Sequence, residues 1–186
     1  QNVVYVPTSG LDFNEHYRYW TEISLTAMEN EIIKALNFVI PDITRINFVD
    51  SDISNQQKVA IVVHRKERVP LESLGDGVKR MLGLALALAN ARDGFFIVDE
   101  IGSGLHYTVQ TKMWEFLMTL AHELNVQIFA TTHSSDCVRA FEYVSNQLTD
   151  IEGQLIRLEK WEDEVTATLI NEKQMQFALE EGIEVR

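Results

Sequence analysis

The sequence predicts an α/β fold in which a mostly parallel sheet is flanked by helices. The apolar run from Phe95 to Val98 lies between glycines, as is typical of a strand buried on both faces of such a sheet. A helical stretch separates this run from a second strand that leads to His133, and a strand–helix–strand order implies parallel neighbours. The stretch from Met81 to Ala89 has no polar residue, which predicts a buried helix.

The first sixty residues predict a strand, a helix and an antiparallel pair. Val3–Val6 is a short β-prone run that ends at a proline. From Glu15 to Val39, apolar residues recur every three to five positions, which indicates one helix. Two β-prone runs, at 43–49 and 58–63, then predict a pair of antiparallel strands joined by a polar connection.

One basic run, His64 to Arg68, follows that pair in a chain whose net charge is −12. It could contact the phosphates of a nucleic acid, or it could be a solvated strand end. We favour the solvated strand end, because a basic run indicates binding only within a patterned basic surface. The acidic balance also argues against a surface broadly attractive to nucleic acid or anionic membrane.

A loop from Ser73 to Lys79 carries two glycines and leads into the apolar helix, which ends near Asn90. Glycines before a helix let backbone N–H groups approach an anion, and the helix start adds partial positive charge. This segment therefore predicts a phosphate cradle. The alternative is ordinary loop geometry with Ser73 capping the helix.

Polar residues gather at the carboxyl ends of two predicted strands. Asp99 and Glu100 follow Phe95–Val98, and His133 ends the strand that begins at Gln127. Open α/β sheets bind their ligands at this edge, so we expect the three side chains to lie near one another in a site. The alternative for the two acids is that they begin a solvated turn.

The rest of the chain predicts helices and one hairpin. A helix is expected from His106 to about Leu124, and another runs to about Ser145 after the cap at 134–136. Strands at 154–160 and 164–170 form a hairpin, and a capping-box-like pattern at Asn171 begins a terminal helix.

Composition is consistent with one domain in a reducing, cytoplasmic setting. The chain of 186 residues is 46% hydrophobic and holds one cysteine, Cys137, so an internal disulfide is impossible. It has no apolar run long enough for a membrane span, and we expect no signal peptide because no positively charged segment precedes an apolar core near Gln1. The five histidines lack zinc-ligand spacing.

Four segments together resemble motifs of ABC-type ATPases. In order, they are similar to the signature loop, the Walker B strand, the D-loop and the switch histidine: Ser73–Arg80, Phe95–Glu100, Gly104–His106 and Ala130–His133. The nearest resemblance is to soluble AAA-type ATP-binding proteins of the overcoming-lysogenization-defect family and, more distantly, to structural-maintenance-of-chromosomes heads. Four motifs in this order are far more specific than one.

The resemblance implies roles for the strand-end residues. Asp99 would help to hold Mg²⁺, usually through water, and Glu100 would polarise the attacking water. His133 would sense the γ-phosphate of ATP.

In the signature-like loop, the resemblance implies nucleotide contacts across a dimer, from Ser73, Gly75, Asp76, Gly77 and Lys79. Two positions depart from the pattern of ABC-type ATPases. Gly75 stands at the usual serine, so a hydroxyl contact would come from Ser73 or be absent. His106 stands at the D-loop aspartate, as in the overcoming-lysogenization-defect branch, which favours that branch over transporters.

The Walker A pattern G-x-x-x-x-G-K-[ST] is missing, and the chain contains no Gly-Lys dipeptide. The sequence also begins without Met, at Gln1, within a β-prone run. We therefore expect one domain that is the C-terminal portion of an ATPase head, with the P-loop half upstream. This chain alone is expected to be inactive.

Two function classes stay open. The first is ATP hydrolysis with Mg²⁺ by a head that forms a homodimer around nucleotide and drives an effector, such as a nuclease, in DNA metabolism or phage defence. DNA binding is not evident from the charge, and no membrane partner is expected. The second class is a non-catalytic assembly or regulatory module. The complete trio of Asp99, Glu100 and His133 favours the first.

Overall fold

The structure, a computed structural model, describes residues 2–52, 57–161 and 164–170. A 3₁₀ turn at Leu71–Leu74 precedes α3. The elements in chain order are β1 (Val3–Val6), α1 (Phe13–Ile23), α2 (Met28–Asn37), β2 (Ile43–Asp52), β3 (Gln57–His64), β4 (Glu67–Pro70), α3 (Asp76–Asn90), β5 (Phe95–Val98), α4 (Tyr107–Glu123), β6 (Gln127–Ala130), α5 (Ser135–Gln147), β7 (Leu155–Trp161) and β8 (Glu164–Ile170). The terminal helix predicted from Asn171 lies outside the described residues.

A three-stranded parallel sheet has β5 at its centre, between β1 and β6. Val4 pairs with Phe96, which pairs with Ile128, so the three strands are in register along their whole length. The strand–helix–strand crossover from β5 through α4 to β6 gives the parallel pairing that its order predicted. The fold class expected from the sequence, α/β with a parallel sheet, flanking helices and antiparallel strand pairs, is confirmed.

The two faces of this sheet differ in burial. On the face that packs against the helices, Phe96 is 0% exposed and Val98 is 1% exposed. On the other face, apolar side chains that we call the open sheet face remain accessible: Val3 (60%), Tyr5 (53%), Ile97 (36%) and Phe129 (51%). The expectation that β5 is buried on both faces is therefore wrong for the described residues. A four-residue apolar run specifies that both faces are apolar, and it does not specify what covers each of them.

Helix α3 forms the centre of the core. Every residue from Met81 to Leu88 is buried, as the absence of polar residues predicted. The helix contacts α1, α2, α4 and β1, so it is enclosed on several sides. Arg80 lies at the start of this buried stretch and is only 7% exposed.

The single helix predicted over 15–39 is two helices, α1 and α2. The chain turns at Leu25, whose φ of 62° is outside the helical region. The hydroxyl of Thr26 donates to the carbonyl of Ile23 at 2.6 Å and accepts from the amide of Met28 at 3.2 Å, which closes one helix and supports the start of the next. Both helices pack on α3, so the apolar spacing continues across the break and conceals it.

The antiparallel pair β2–β3 is confirmed and has a third strand, β4, that the sequence analysis missed. The basic run forms the tight turn between β3 and β4, with Arg65 at φ 50° and Lys66 at φ 70°. Arg65 also forms an exposed ion pair with Asp42 at 3.5 Å. The run is thus a solvated turn at a strand end. The hairpin of β7 and β8 is confirmed, with Ile156 opposite Leu169.

Gly94 lets β1 lie against β5. A Cβ placed there would clash with the backbone of Asn2, and the amide of Phe95 donates to the carbonyl of Asn2 at 2.7 Å. No side chain larger than hydrogen fits between the strands at this point.

His16 of α1 predicts a pH dependence of stability. Its ring is 9% exposed, its Nδ1 lies 2.8 Å from the carbonyl oxygen of Asp12, and burial lowers its pKa from the ordinary 6.5, although Asp12 and Glu15 partly offset this. As the pH drops below 6.5, the unfolded chain takes up the proton before the folded chain does, so the free energy of unfolding decreases as the pH is lowered. We expect the stability difference between wild type and His16→Gln to shrink from pH 8 to pH 5.5 in urea unfolding. A constant difference would contradict this.

Candidate functional site

The carboxyl ends of the parallel strands meet at one edge of the sheet. Strand β5 is followed by Asp99, whose amide donates to the carbonyl of Val6 at the end of β1, at 2.9 Å. The amide of Thr131, after β6, donates to the carbonyl of Val98 at 3.0 Å. We call the polar residues brought together here the strand-tip cluster: Thr8, Asp99, Glu100, Thr131 and His133.

Asp99 is held as a carboxylate by two hydroxyl groups from the neighbouring strands. Thr131 Oγ1 donates to its Oδ1 at 2.6 Å, and Thr8 Oγ1 donates to its Oδ2 at 2.5 Å. These hydrogen bonds lower the pKa of Asp99, and the bond from Thr131 has the larger effect. Both oxygens are thereby oriented and charged near neutral pH, as a cation ligand requires.

Glu100 has a left-handed backbone and pairs with His133. Its φ is 49°, and its amide donates to Thr131 Oγ1 at 2.9 Å. The carboxylate lies 3.2 Å from His133 Nε2 and accepts from the His133 amide at 3.3 Å. The His133 side chain is 94% exposed and that of Glu100 is 24% exposed, so the acid lies within the edge and the histidine projects from it. The structure brings together the three side chains that the sequence placed at the strand ends.

The signature-like loop lies at the start of α3. Gly75 is its N-cap, with φ 92°, and no side chain caps the helix there. The hydroxyl of Ser73 donates instead to the carbonyl of Pro70 at 2.6 Å, so the alternative in which Ser73 caps the helix is wrong. The first amides of α3 keep their partial positive charge without a side-chain acceptor from the cap, as an anion site needs.

Lys79 forms an ion pair with Asp76 one turn earlier, at 2.6 Å. The bond from Lys79 lowers the pKa of Asp76, whose side chain is 84% exposed. Exposed ion pairs of this kind contribute little to stability. Lys79 could therefore leave the Asp76 carboxylate for a phosphate at a small cost in free energy.

The signature-like loop adjoins the D-loop-like turn. A Cβ on Gly77 would lie 3.2 Å from the carbonyl oxygen of Gly104, so the two backbones are almost in contact. His106 caps α4, because its Nδ1 accepts from the amide of Thr108. The residue at the D-loop aspartate position therefore takes the capping role that aspartate often has.

Three residues of this region were missed in the sequence analysis: Thr8, Thr131 and Arg80. Arg80 extends from α3 beneath the strand tips and donates to the carbonyls of Pro7 at 3.0 Å, Asp99 at 2.8 Å and Glu100 at 2.8 Å. The sequence signal for Arg80 is a charged residue that borders a wholly apolar helical stretch. For Thr8 and Thr131 the signal is a hydroxyl residue just beyond a strand end.

The strand-tip cluster fits a magnesium site of the kind completed by a nucleotide. Within residues 2–52, 57–161 and 164–170 no three His, Cys, Asp or Glu side chains converge as an all-protein metal site would need. Mg²⁺ is instead usually bound by one or two carboxylates together with waters and substrate phosphates. One oriented carboxylate, Asp99, beside a hydroxyl, Thr131, suits that arrangement. None of the helices in those ranges combines the length and the apolar character needed to span a bilayer.

Comparison with known families shows one match over most of the chain. The family described as an AAA ATPase domain matches residues 13–138. The match contains the signature-like loop, the two acids and His133.

Two curated proteins share part of the sequence. An ATP/GTP phosphatase of Helicobacter pylori is 30% identical over 120 residues, which are 63% of this chain and 31% of that protein. The ABC transporter A family member 5 of Dictyostelium discoideum is 35% identical over 92 residues, 49% of this chain and 5% of that protein. The chain thus spans less than a third of the length of either relative.

Solved structures share the fold at low sequence identity. A structure from work on the ATP-driven dimerization and DNA-stimulated activation of SMC ATPases has a TM-score of 0.60, 12% identity, and coverage of 89% of this chain and 96% of that chain. The SMC head domain from Thermotoga maritima has a TM-score of 0.54, 13% identity, and coverage of 90% and 53%. An SMC head bound to the C-terminal winged-helix domain of ScpA has a TM-score of 0.57, 12% identity, and coverage of 81% and 44%.

Proposed function

The chain belongs to the AAA ATPase domain family, and from this premise we propose that it supplies the acid pair, the switch histidine and the signature loop of an ATP-hydrolysing head. The observation that carries the proposal is Glu100 paired with His133 next to an oriented, ionised Asp99. The oriented carboxylate of Asp99 beside it distinguishes this arrangement from an ordinary Glu–His contact. All three side chains lie at the same edge of the parallel sheet, and this supports a site that binds and hydrolyses a nucleotide.

In this proposal Asp99 and Thr131 would hold Mg²⁺, which would neutralise charge on the transferring phosphate. Glu100 accepts a hydrogen bond from the attacking water and draws its proton away from the reacting oxygen. His133 lies against the Glu100 carboxylate. A γ-phosphate that contacts His133 would therefore also influence Glu100. Thr8 holds the second oxygen of Asp99 through its hydrogen bond.

We propose that residues outside this sequence supply the Walker A element. Two observations support this: the chain lacks the P-loop pattern, and the open sheet face exposes apolar side chains on all three strands. Apolar surface of this kind marks a site that another element covers. A segment that brings the P-loop and covers this face would complete both the nucleotide cradle and the second layer.

We also propose that the complete protein works as a homodimer, in which residues from Ser73 to Lys79 contact the nucleotide of the partner. The uncapped start of α3 and the exposed Lys79–Asp76 pair support this role. The dimer would act in the cytoplasm on an effector, such as a nuclease in DNA metabolism or phage defence. The alternative, a non-catalytic assembly module, predicts no turnover by the complete protein, so a steady-state ATPase assay on that protein separates the two.

The isolated 186 residues are expected to bind Mg·ATP weakly, because no backbone cradle or lysine holds the β- and γ-phosphates. Titration calorimetry should show low-micromolar affinity for the complete protein and at least about 100-fold weaker affinity for this chain. This ratio corresponds to the loss of roughly two good charge-assisted contacts. Low-micromolar binding by the isolated chain would contradict a missing Walker A element.

A further inference from the structure

Arg80 connects the start of α3 to the backbone of both acids. Its guanidinium is the one side chain that reaches Pro7, Asp99 and Glu100 together among the described contacts, through NH1 to the first and NH2 to the other two. The side chain is 7% exposed, so water competes little for these carbonyls. A planar guanidinium is suited to this task because its donors diverge in fixed directions.

The backbone that Arg80 holds is unfavourable by itself. Glu100 has φ 49°, a region that residues with a Cβ seldom adopt and that persists only where the surroundings fix it. The Glu100 amide donates to Thr131 Oγ1, and the Ile101 amide donates to the Thr131 carbonyl at 3.0 Å. The carbonyls of Asp99 and Glu100 accept from Arg80, and the Glu100 carbonyl also accepts from the Ser103 amide at 2.9 Å. Thr131 therefore anchors the amide side of this turn, and Arg80 is the side chain that anchors both carbonyls.

We propose that Arg80 is a positioning residue for ATP hydrolysis, which fixes the backbone at Asp99 and Glu100 so that their carboxylates diverge toward metal and water. The proposal rests on the proposed function. Arg80 directly follows Lys79 on α3, so the same helix start presents the signature loop outward and supports the acid pair inward. A carboxylate displaced by about 1 Å can lower the rate on the order of 100-fold.

The test uses the complete protein with Arg80→Lys and Arg80→Gln, and with Arg92→Lys as the matched control. Lysine keeps the charge but lacks the planar fork whose two nitrogens reach Pro7 on one side and the two acids on the other. Arg92 is exposed and follows the same helix. We expect kcat to fall about 10- to 100-fold in both Arg80 variants while KM for Mg·ATP changes less than about threefold. Hydrogen exchange at the amides of Glu100 and Ile101 should accelerate, with cooperative melting retained.

Wild-type kcat together with unchanged exchange at these amides would overturn the inference. A fall in kcat together with a raised KM and a loss of hydrogen-exchange protection throughout the domain would also overturn it. So would failure of both variants to fold, since Arg80 would then support the whole fold. If the wild-type protein itself shows no ATPase activity, the proposed function fails, and the exchange measurement still decides whether Arg80 fixes this turn.

Discussion

Glu100→Gln is expected to abolish turnover in the complete protein while leaving nucleotide binding intact. Glutamine keeps the shape of the side chain and can still contact His133, but it lacks the charge that polarises the water. Loss of a positioned base lowers rates about 10²- to 10⁴-fold. The ATP-bound state should then accumulate, and with it the dimer, which light scattering in Mg·ATP would detect beside a steady-state ATPase assay.

Two comparisons make this result specific. Glu123→Gln removes the same charge from the exposed end of α4 and should hydrolyse ATP at the wild-type rate. Asp99→Asn should instead weaken the metal-dependent part of binding, because Asp99 is the ionised group that both threonine hydroxyls orient. Wild-type turnover by Glu100→Gln would remove Glu100 from the mechanism and leave the acid pair without a catalytic assignment.

Leu86→Asp is expected to unfold the domain. Leu86 is 0% exposed in the middle of α3, and its neighbours along the helix are buried as well. An unpaired buried charge costs several kcal/mol, against a total stability of roughly 5–15 kcal/mol. Circular dichroism should show no cooperative thermal transition for this variant.

Leu25→Asp is the matched control for that experiment. Leu25 is 96% exposed and has φ 62°, a conformation that aspartate tolerates better than leucine. The control should melt within a few degrees of wild type. Cooperative melting of Leu86→Asp near the same temperature would show that α3 is not the buried centre of the fold.

The sequence specified elements whose signal is local. The apolar run at Phe95–Val98, the apolar α3 and the polar residues 131–133 just after β6 each follow from residue order. The parallel pairing follows from the crossover between the two strands. The strand-end position of Asp99, Glu100 and His133 could be inferred in the same way.

What the sequence did not specify depends on contacts between distant residues. Arg80 bonds to a carbonyl 73 positions earlier, and Thr8 bonds to a carboxylate 91 positions later, so neither partner is visible in a local pattern. The break at Leu25 was hidden because both flanking helices bury the same face against α3. The alternative in which Ser73 caps α3 failed because its hydroxyl donates to the carbonyl of Pro70 and does not accept from an amide of the helix.

Gly94 shows that sensitivity to substitution need not mark proximity to the chemistry. It lies at the amino end of β5, at the opposite end of the strand from Asp99, and its lack of a side chain is what lets β1 pair there. Any larger residue would force β1 away from β5, and Thr8, which β1 carries to the far edge, would be displaced with it. In a survey of substitutions, position 94 would therefore be as intolerant of change as the strand-tip cluster, although Gly94 does not contact that cluster. A list of intolerant positions would then include this distant support together with the residues of the site.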